Sequence, residues 1–276
     1  MALSKITSKS ITDSTITSDD IATGAVESSM TTQIGGRRNL IINGAMQVAQ
    51  RGTSATGVNG ASTTYETVDR FKFLETTGAV SDLSQESDAP EGFKYSFKIL
   101  CSTADASPIS TAQGRIETVL EAQDVRQLNH GTSNAKQVTL SFWVKSNKTG
   151  GYSAGLYKDG LSGNTISQGY TINASGTWEY KTLTFAGDTS AGLNSTDNDA
   201  GLRVWFHQVA GTDRKSGTAN TWSTSATNRA VGQDVNLYDT VGNYWQITGV
   251  QLEVGTVATP FEHRSYGEEL ALCQRY

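Results

Sequence analysis

The sequence predicts an all-β protein: a jelly-roll β-sandwich with an extended N-terminal repeat segment and a short C-terminal helix. Three observations carry this expectation. The 276-residue chain is rich in Thr, Ser, Asn and Gly, while charged residues (18%) and hydrophobic residues (36%) both fall below ordinary globular fractions. From residue 39 onward, apolar runs of strand length alternate with clusters of Gly, Asn, Asp and Ser. The first thirty residues, by contrast, repeat with a period that belongs to neither helix nor strand.

That repeat is Ile6, Ile11, Ile16, Ile21 and Val26, one anchor every five residues. On a lone flat strand, successive anchors would point to opposite faces and none would be buried. Several copies wound about a common axis could bury them, as could a groove on a partner. Residues 1–35 are therefore read as an attachment and trimerisation segment. Composition alone also allows a disordered polar tail, but five regularly spaced anchors argue against it. Gly36, Arg37 and Arg38 read as a hinge, and 39–276 as one sandwich domain.

The domain opens with Leu40–Ile42, an Asn43-Gly44 turn signal and Met46–Val48, which together suggest a hairpin. Strands are expected at 68–75, 93–101, 115–121, 137–145, 151–158, 178–186, 201–209 and 244–254, enough for two packed sheets. Residues 210–240 carry few apolar side chains and read as a surface excursion. In the last strand Trp245 and Ile247 share a face, and Gly249 is placed to form a bulge that resets the parity for Val250, Leu252 and Val254. Ser265 and Glu268 have capping-box spacing, and Tyr266, Leu270 and Cys273 follow on one face of a short helix.

Two stretches resemble a known family. The first is NLIINGAMQVAQRG at 39–52 with DRF at 69–71; the second is ITGVQLEVG at 247–255, ATPFE at 258–262 and EELALCQRY at 268–276. Together they are similar to the C-terminal domains of bacteriophage tail-fibre and related virion proteins, although that family often carries an aromatic where Ala49 stands. LSFWVK at 140–145 and WEYKTLTF at 178–185 resemble carbohydrate-binding-module jelly rolls, and IATGAV at 21–26 resembles repeats of trimeric phage fibres. The resemblance implies a homotrimer on the exterior of a virion, assembled in the host cytoplasm, joined to other virion proteins by its N-terminus and touching the host surface.

The chemistry that can be read is mostly non-catalytic. His130, His207 and His263 are scattered, and no nucleophile-elbow, zincin, phosphate-loop or dinucleotide motif occurs. The scattered carboxylates could pair in a groove as in a glycosidase, yet the expectation is no enzyme, no cofactor and no metal. Asp188, Asp197, Asn198 and Asp199 surround a loop that could hold calcium, but they lack a recognised ligand spacing and read as a solvated acidic loop. A net charge of −5 argues against nucleic acid as a partner, and no apolar stretch is long enough to span a membrane. The N-terminus lacks the apolar core of a secretory signal. Cys101 and Cys273 are expected as buried free thiols, with a bridge between them the other arrangement.

Strand parity singles out the aromatics. With Val138, Leu140, Phe142 and Val144 inward, Trp143 and Lys145 point outward; with Leu202, Val204 and Phe206 inward, Arg203, Trp205 and His207 do. An indole on a polar sheet face suits stacking against a sugar ring, so these five residues form the candidate carbohydrate site. The same rings could instead be covered by the 210–240 loop or by a neighbouring subunit. Trp178, Tyr180, Trp222 and Tyr238 are further candidates. Two non-enzymatic roles follow: a trimeric appendage contacting host-surface glycan, or a purely architectural neck, collar, tail-adaptor or head-decorating part. Removing residues 1–30 should leave a folded sandwich that no longer joins particles; normal incorporation of the truncated protein, measured on purified virions, would refute the attachment role.

Overall fold

Alternating apolar residues in the long strands close two antiparallel sheets onto each other in the computed structural model. It describes residues 37–60, 65–159, 164–193 and 197–275, and Arg38–Tyr276 form one compact unit. The pentad anchors Ile6, Ile11, Ile16, Ile21 and Val26 lie outside the described residues. Among the described residues eleven strands run in order: β1 (Ser54–Val58), β2 (Phe71–Glu75), β3 (Val80–Glu86), β4 (Ser96–Thr103), β5 (Gln113–Glu121), β6 (Val138–Ser146), β7 (Gly150–Lys158), β8 (Thr165–Ile172), β9 (Glu179–Phe185), β10 (Ala200–Ala210) and β11 (Tyr244–Val254). They form a six-stranded sheet, β1-β3-β4-β11-β6-β9, and a five-stranded sheet, β2-β5-β10-β7-β8. The architecture is a jelly-roll β-sandwich with a short C-terminal helix.

Between the sheets, Leu140, Phe142 and Val144 face Leu202, Val204 and Phe206, all fully buried. Phe142 joins the layers by edge-to-face contacts with Phe206 (ring centroids 5.0 Å apart) and Tyr170 (5.1 Å). The parity reading of β6 and β10 thus matches the structure. So does that of β11 up to Leu252: its register with β6 shifts between Thr248 and Gln251, Gly249 adopts φ +62°, and Trp245, Ile247, Val250 and Leu252 are all core, whereas Val254, at the strand's end, is 38% exposed. Strands β1, β3 and β8 have no counterpart in the sequence reading. The inward face of β3 carries Ser81 beside Leu83, and that of β8 carries Gln168 between Ile166 and Tyr170, so neither shows a clean apolar alternation.

The expected hairpin at 39–48 does not form. Asn43, at φ +59°, turns its side chain inward: its amide nitrogen donates to the carbonyls of Val48 and Asp69, and its amide oxygen accepts from the Val48 N–H. The segment therefore wraps around one asparagine instead of pairing as two strands. It is tied to the far end of the chain. Asn39 donates to Val250 O and accepts from Leu252 N, Leu40 N donates to Leu252 O, and Val250 N donates to Gly44 O. Arg264, with only 3% of its side chain exposed, donates to Ile41 O and to the Glu269 carboxylate, which also accepts from Asn43 N.

Glu269 belongs to the helix Tyr266–Cys273, whose N-terminus is capped by the Ser265 hydroxyl accepting from Glu268 N. Its buried face is Glu269 with Cys273. Tyr266 instead is 56% exposed, so the expected Tyr266–Leu270–Cys273 stripe is rotated by the need to pair Glu269 with Arg264. Cys101 and Cys273 are both buried and free, and burial pushes the Cys273 thiol up to about 12. Truncation after Glu262 removes Arg264, Glu269 and Cys273 together. Losing a buried ion pair's partners and core contacts should lower unfolding free energy by roughly 3–5 kcal/mol; an unchanged denaturation midpoint would contradict this arrangement.

Candidate functional site

The five sequence-predicted residues lie on opposite outer faces of the sandwich. Trp143 and Lys145 point outward from the six-stranded sheet; Arg203, Trp205 and His207 point outward from the five-stranded one. They do not form a single site.

On the five-stranded side the face is covered. Trp205 is 3% exposed: Tyr157 from β7 stacks on it at 4.5 Å, and the Arg115 guanidinium from β5 lies 4.1 Å from its ring centroid. Arg203 is held between Glu117 (2.6 Å) and Asp159 (2.5 Å). His207 is fully buried, and burial together with Arg115 and Arg229 keeps its imidazole far below the usual histidine range, hence neutral. Sugar contact by Trp205 or His207 is therefore unavailable in this arrangement. The 210–240 segment supplies the rest of the cover. It crosses β7 and β8 where the outward positions are Gly151, Ser153, Gly155, Ser167 and Gly169. Gly232 comes so close that a Cβ on Gly169 would lie 3.1 Å from its Cα. Gln233 accepts from Ser153 N, and Asp234 N and Val235 N donate to Gly151 O.

Asp188 likewise departs from the solvated loop expected of it. It is buried, and its carboxylate accepts from the Lys158 ammonium, Asn164 and the amides of Ser190 and Ala191. Burial would raise its pKa, but these donors outweigh it and hold the carboxyl below the usual range. The Lys158 ammonium also packs 4.9 Å from the Trp222 ring. Tyr238 is fully buried and lines no surface. Among the described residues, no group of three or more His, Cys, Asp or Glu side chains is placed to hold a metal.

The six-stranded side is open. Trp143 is half-buried, and Tyr180, its register partner on β9, is 44% exposed with ring centroids 5.3 Å apart. Beside them stand Phe93, Phe261 and His263, whose rings lie 4.9–5.4 Å from one another. Gly249 makes this possible: a Cβ there would lie 2.7 Å from Phe93 Cζ and 3.1 Å from Trp143 Cδ1. The wall bearing Phe261 is fixed because Glu253 accepts from Thr259 N (2.8 Å) and Thr259 Oγ1 (2.7 Å), while Glu262 N donates to Gln251 (2.9 Å). The result is an open groove of about 590 Å³. Trp178, also half-buried, continues the aromatic row; its indole N–H donates to Asp88 at 3.2 Å, and Asp88 also pairs with Lys145.

Phe261 and His263 were missed in the sequence because they sit on a connection, where parity has no meaning, and Phe93, expected at the start of a strand at 93–101, lies ahead of β4, which begins at Ser96. Tyr180 had the right outward parity with Trp143, and only the strand register reveals that they are neighbours.

No family model matches the chain, and no curated protein matches it. Among solved structures the chain is similar to the enzymatically active domain of bacteriophage CBA120 tailspike protein 4, at 15% identity and TM-score 0.40, covering 72% of this chain and 21% of that one. The chain thus spans about a fifth of that tailspike's length. It is also similar to a CBM4 structure (12% identity, TM-score 0.37, covering 77% of this chain and 98% of that one). A third likeness is to the family 11 carbohydrate-binding module from Clostridium thermocellum, solved with a mixed-linked tetrasaccharide (10% identity, TM-score 0.36, 75% and 99% covered).

Glu179 holds the turn that presents Trp178 and Tyr180, accepting from Asn173, the Ala174 amide and Lys181. Burial opposes its ionisation, yet these donors bring it from 4.5 down to about 2. Its folded pKa is depressed, so its stabilisation is complete above the unfolded value and lost as pH falls towards 2. The stability gap between the wild type and Glu179→Gln should be constant above about pH 5 and close in acid. A gap independent of pH in denaturant titrations would show that the carboxylate plays no such part.

Proposed function

We propose that this protein is a non-catalytic, glycan-binding component of a bacteriophage particle. The observation that carries the reading is the open groove in which Trp143 and Tyr180 stand side by side, with Phe261 and His263 as a fixed wall. Aromatic faces suit the apolar faces of sugar rings, and the exposed His263 offers hydrogen bonds to hydroxyls. Of the described residues lining the groove, only Glu91 carries a carboxylate, whereas glycoside hydrolysis ordinarily uses two. Binding without turnover is the role that fits. The placement on a virion is drawn from the resemblance of 39–52 and 247–276 to phage virion proteins. The homotrimer and its attachment to other virion proteins are drawn from the pentad at Ile6–Val26.

A single shallow site of this kind should bind at about millimolar strength, roughly −4 kcal/mol, and several copies on one particle would add avidity. Purified protein on a glycan array should give a set of binding glycans. Trp143→Ala and Tyr180→Ala should each cut that binding at least tenfold while leaving the melting temperature within a few degrees, and no new reducing ends should appear. Binding retained in both variants would refute the groove. A wild type that binds no glycan, together with full particle assembly, would favour the architectural role.

A further inference from the structure

The covered face of the five-stranded sheet holds an imbalance of charge. Three guanidiniums meet there: Arg115 from β5, Arg203 from β10 and Arg229 from the 210–240 segment. Two carboxylates face them, and both are committed. Glu117 accepts from Arg115 (3.1 Å) and Arg203 (2.6 Å), and Asp159 accepts twice from Arg203 (3.0 and 2.5 Å). Arg229 has no carboxylate partner among the described residues, and Arg214 adds a further positive charge near it.

The hydrogen bonding is unbalanced in the same sense. Arg115 Nη1, Arg229 Nε and Trp205 Nε1 are buried donors with no acceptor among the described residues. Arg115 is 6% exposed and Trp205 3%, so both are enclosed by the fold. These residues line one open depression of about 160 Å³ together with Tyr157, Asp159 and Arg203. Buried donors without acceptors are rare and costly, and here they converge where positive charge is in excess. His207, behind them, is held neutral partly by Arg115 and Arg229, which shows the sign of the local field.

We propose that this depression binds an oxyanion, a carboxylate, sulfate or phosphate group, with Arg229 and Arg115 supplying the charge and the Trp205 indole beside them reporting its arrival. A guanidinium presents parallel N–H donors that match a planar carboxylate or two oxygens of a tetrahedral anion. The space accommodates such a group but not a whole sugar ring with its neighbours, so an acidic sugar would enter by its carboxylate. The site lies on the sheet opposite the aromatic groove and does not rest on the glycan reading of that groove.

Titration of the full chain, followed by tryptophan emission, tests this with sodium sulfate and sodium glucuronate as probes. Sodium chloride at matched ionic strength and glucose serve as their controls. The wild type should respond saturably to at least one anion and to neither control. Arg229→Gln should raise the midpoint at least tenfold, with unchanged thermal denaturation in buffer, and Arg126→Gln, at an exposed arginine elsewhere, should leave it unaltered. A response to glucuronate alone assigns the site to sugar acids, and one to sulfate alone to sulfated or free inorganic groups; either supports it. No saturable response in the wild type, or an equal response in Arg229→Gln, overturns it.

Discussion

The enclosed guanidinium of Arg264 is the point on which the rest of the sandwich depends. It donates to the backbone of Ile41 and to Glu269, and Glu269 in turn accepts from Asn43 N. Removing either charge would strand the other inside the protein. Through this tie the 39–48 segment lies against β11, close enough that a Cβ on Gly44 would stand 2.1 Å from Val250 O. That contact occupies the backbone of Val250 just where β11 leaves its register with β6, so the bulge at Gly249 is supported from behind. The bulge in turn leaves the space filled by Phe93 and Trp143. The geometry of the open groove is thus inherited from the buried ion pair of Arg264 with Glu269, which the chain reaches only after β11 has ended.

This chain of dependence also explains why 39–52 and 247–276, so far apart in sequence, make sense only as a pair. Asn39, Asn43, Gly44, Arg264 and Glu269 are parts of one hydrogen-bonded unit, and each is demanding in chemistry or size. Asn43 serves three backbone groups at once and adopts a left-handed conformation that asparagine tolerates well.

Strand content was legible wherever apolar residues alternate, as in β6, β10 and β11, and so was the bulge at Gly249. Elements whose inward positions are small or polar were not: Ser81 in β3 is buried by what covers it, not by its own hydrophobicity, and Gln168 breaks the apolar positions of β8. Parity correctly sent Trp143 and Trp205 outward, but outward is not the same as exposed. The face that contains Trp205 is roofed by a polar segment whose cover depends on the small residues beneath it, and a polar loop over a glycine track leaves no periodic signal. Lys158 teaches the same lesson in charge: its ammonium pairs with Asp188 and donates to Ala191 O, inside a loop that the sequence read as solvated.

The place where the chain enters the domain has a mechanical consequence. Arg38 hydrogen-bonds to Thr259, and the Asn39 backbone and side chain bond to Glu262, Val250 and Leu252. A pull applied to the chain ahead of Arg38 therefore does not peel a strand from the edge of a sheet. It loads several hydrogen bonds at once, directed to β11 at the middle of the six-stranded sheet and to the 258–263 strap. That strap carries Phe261 and His263, so tension ahead of Arg38 reaches the wall of the groove together with the central strand.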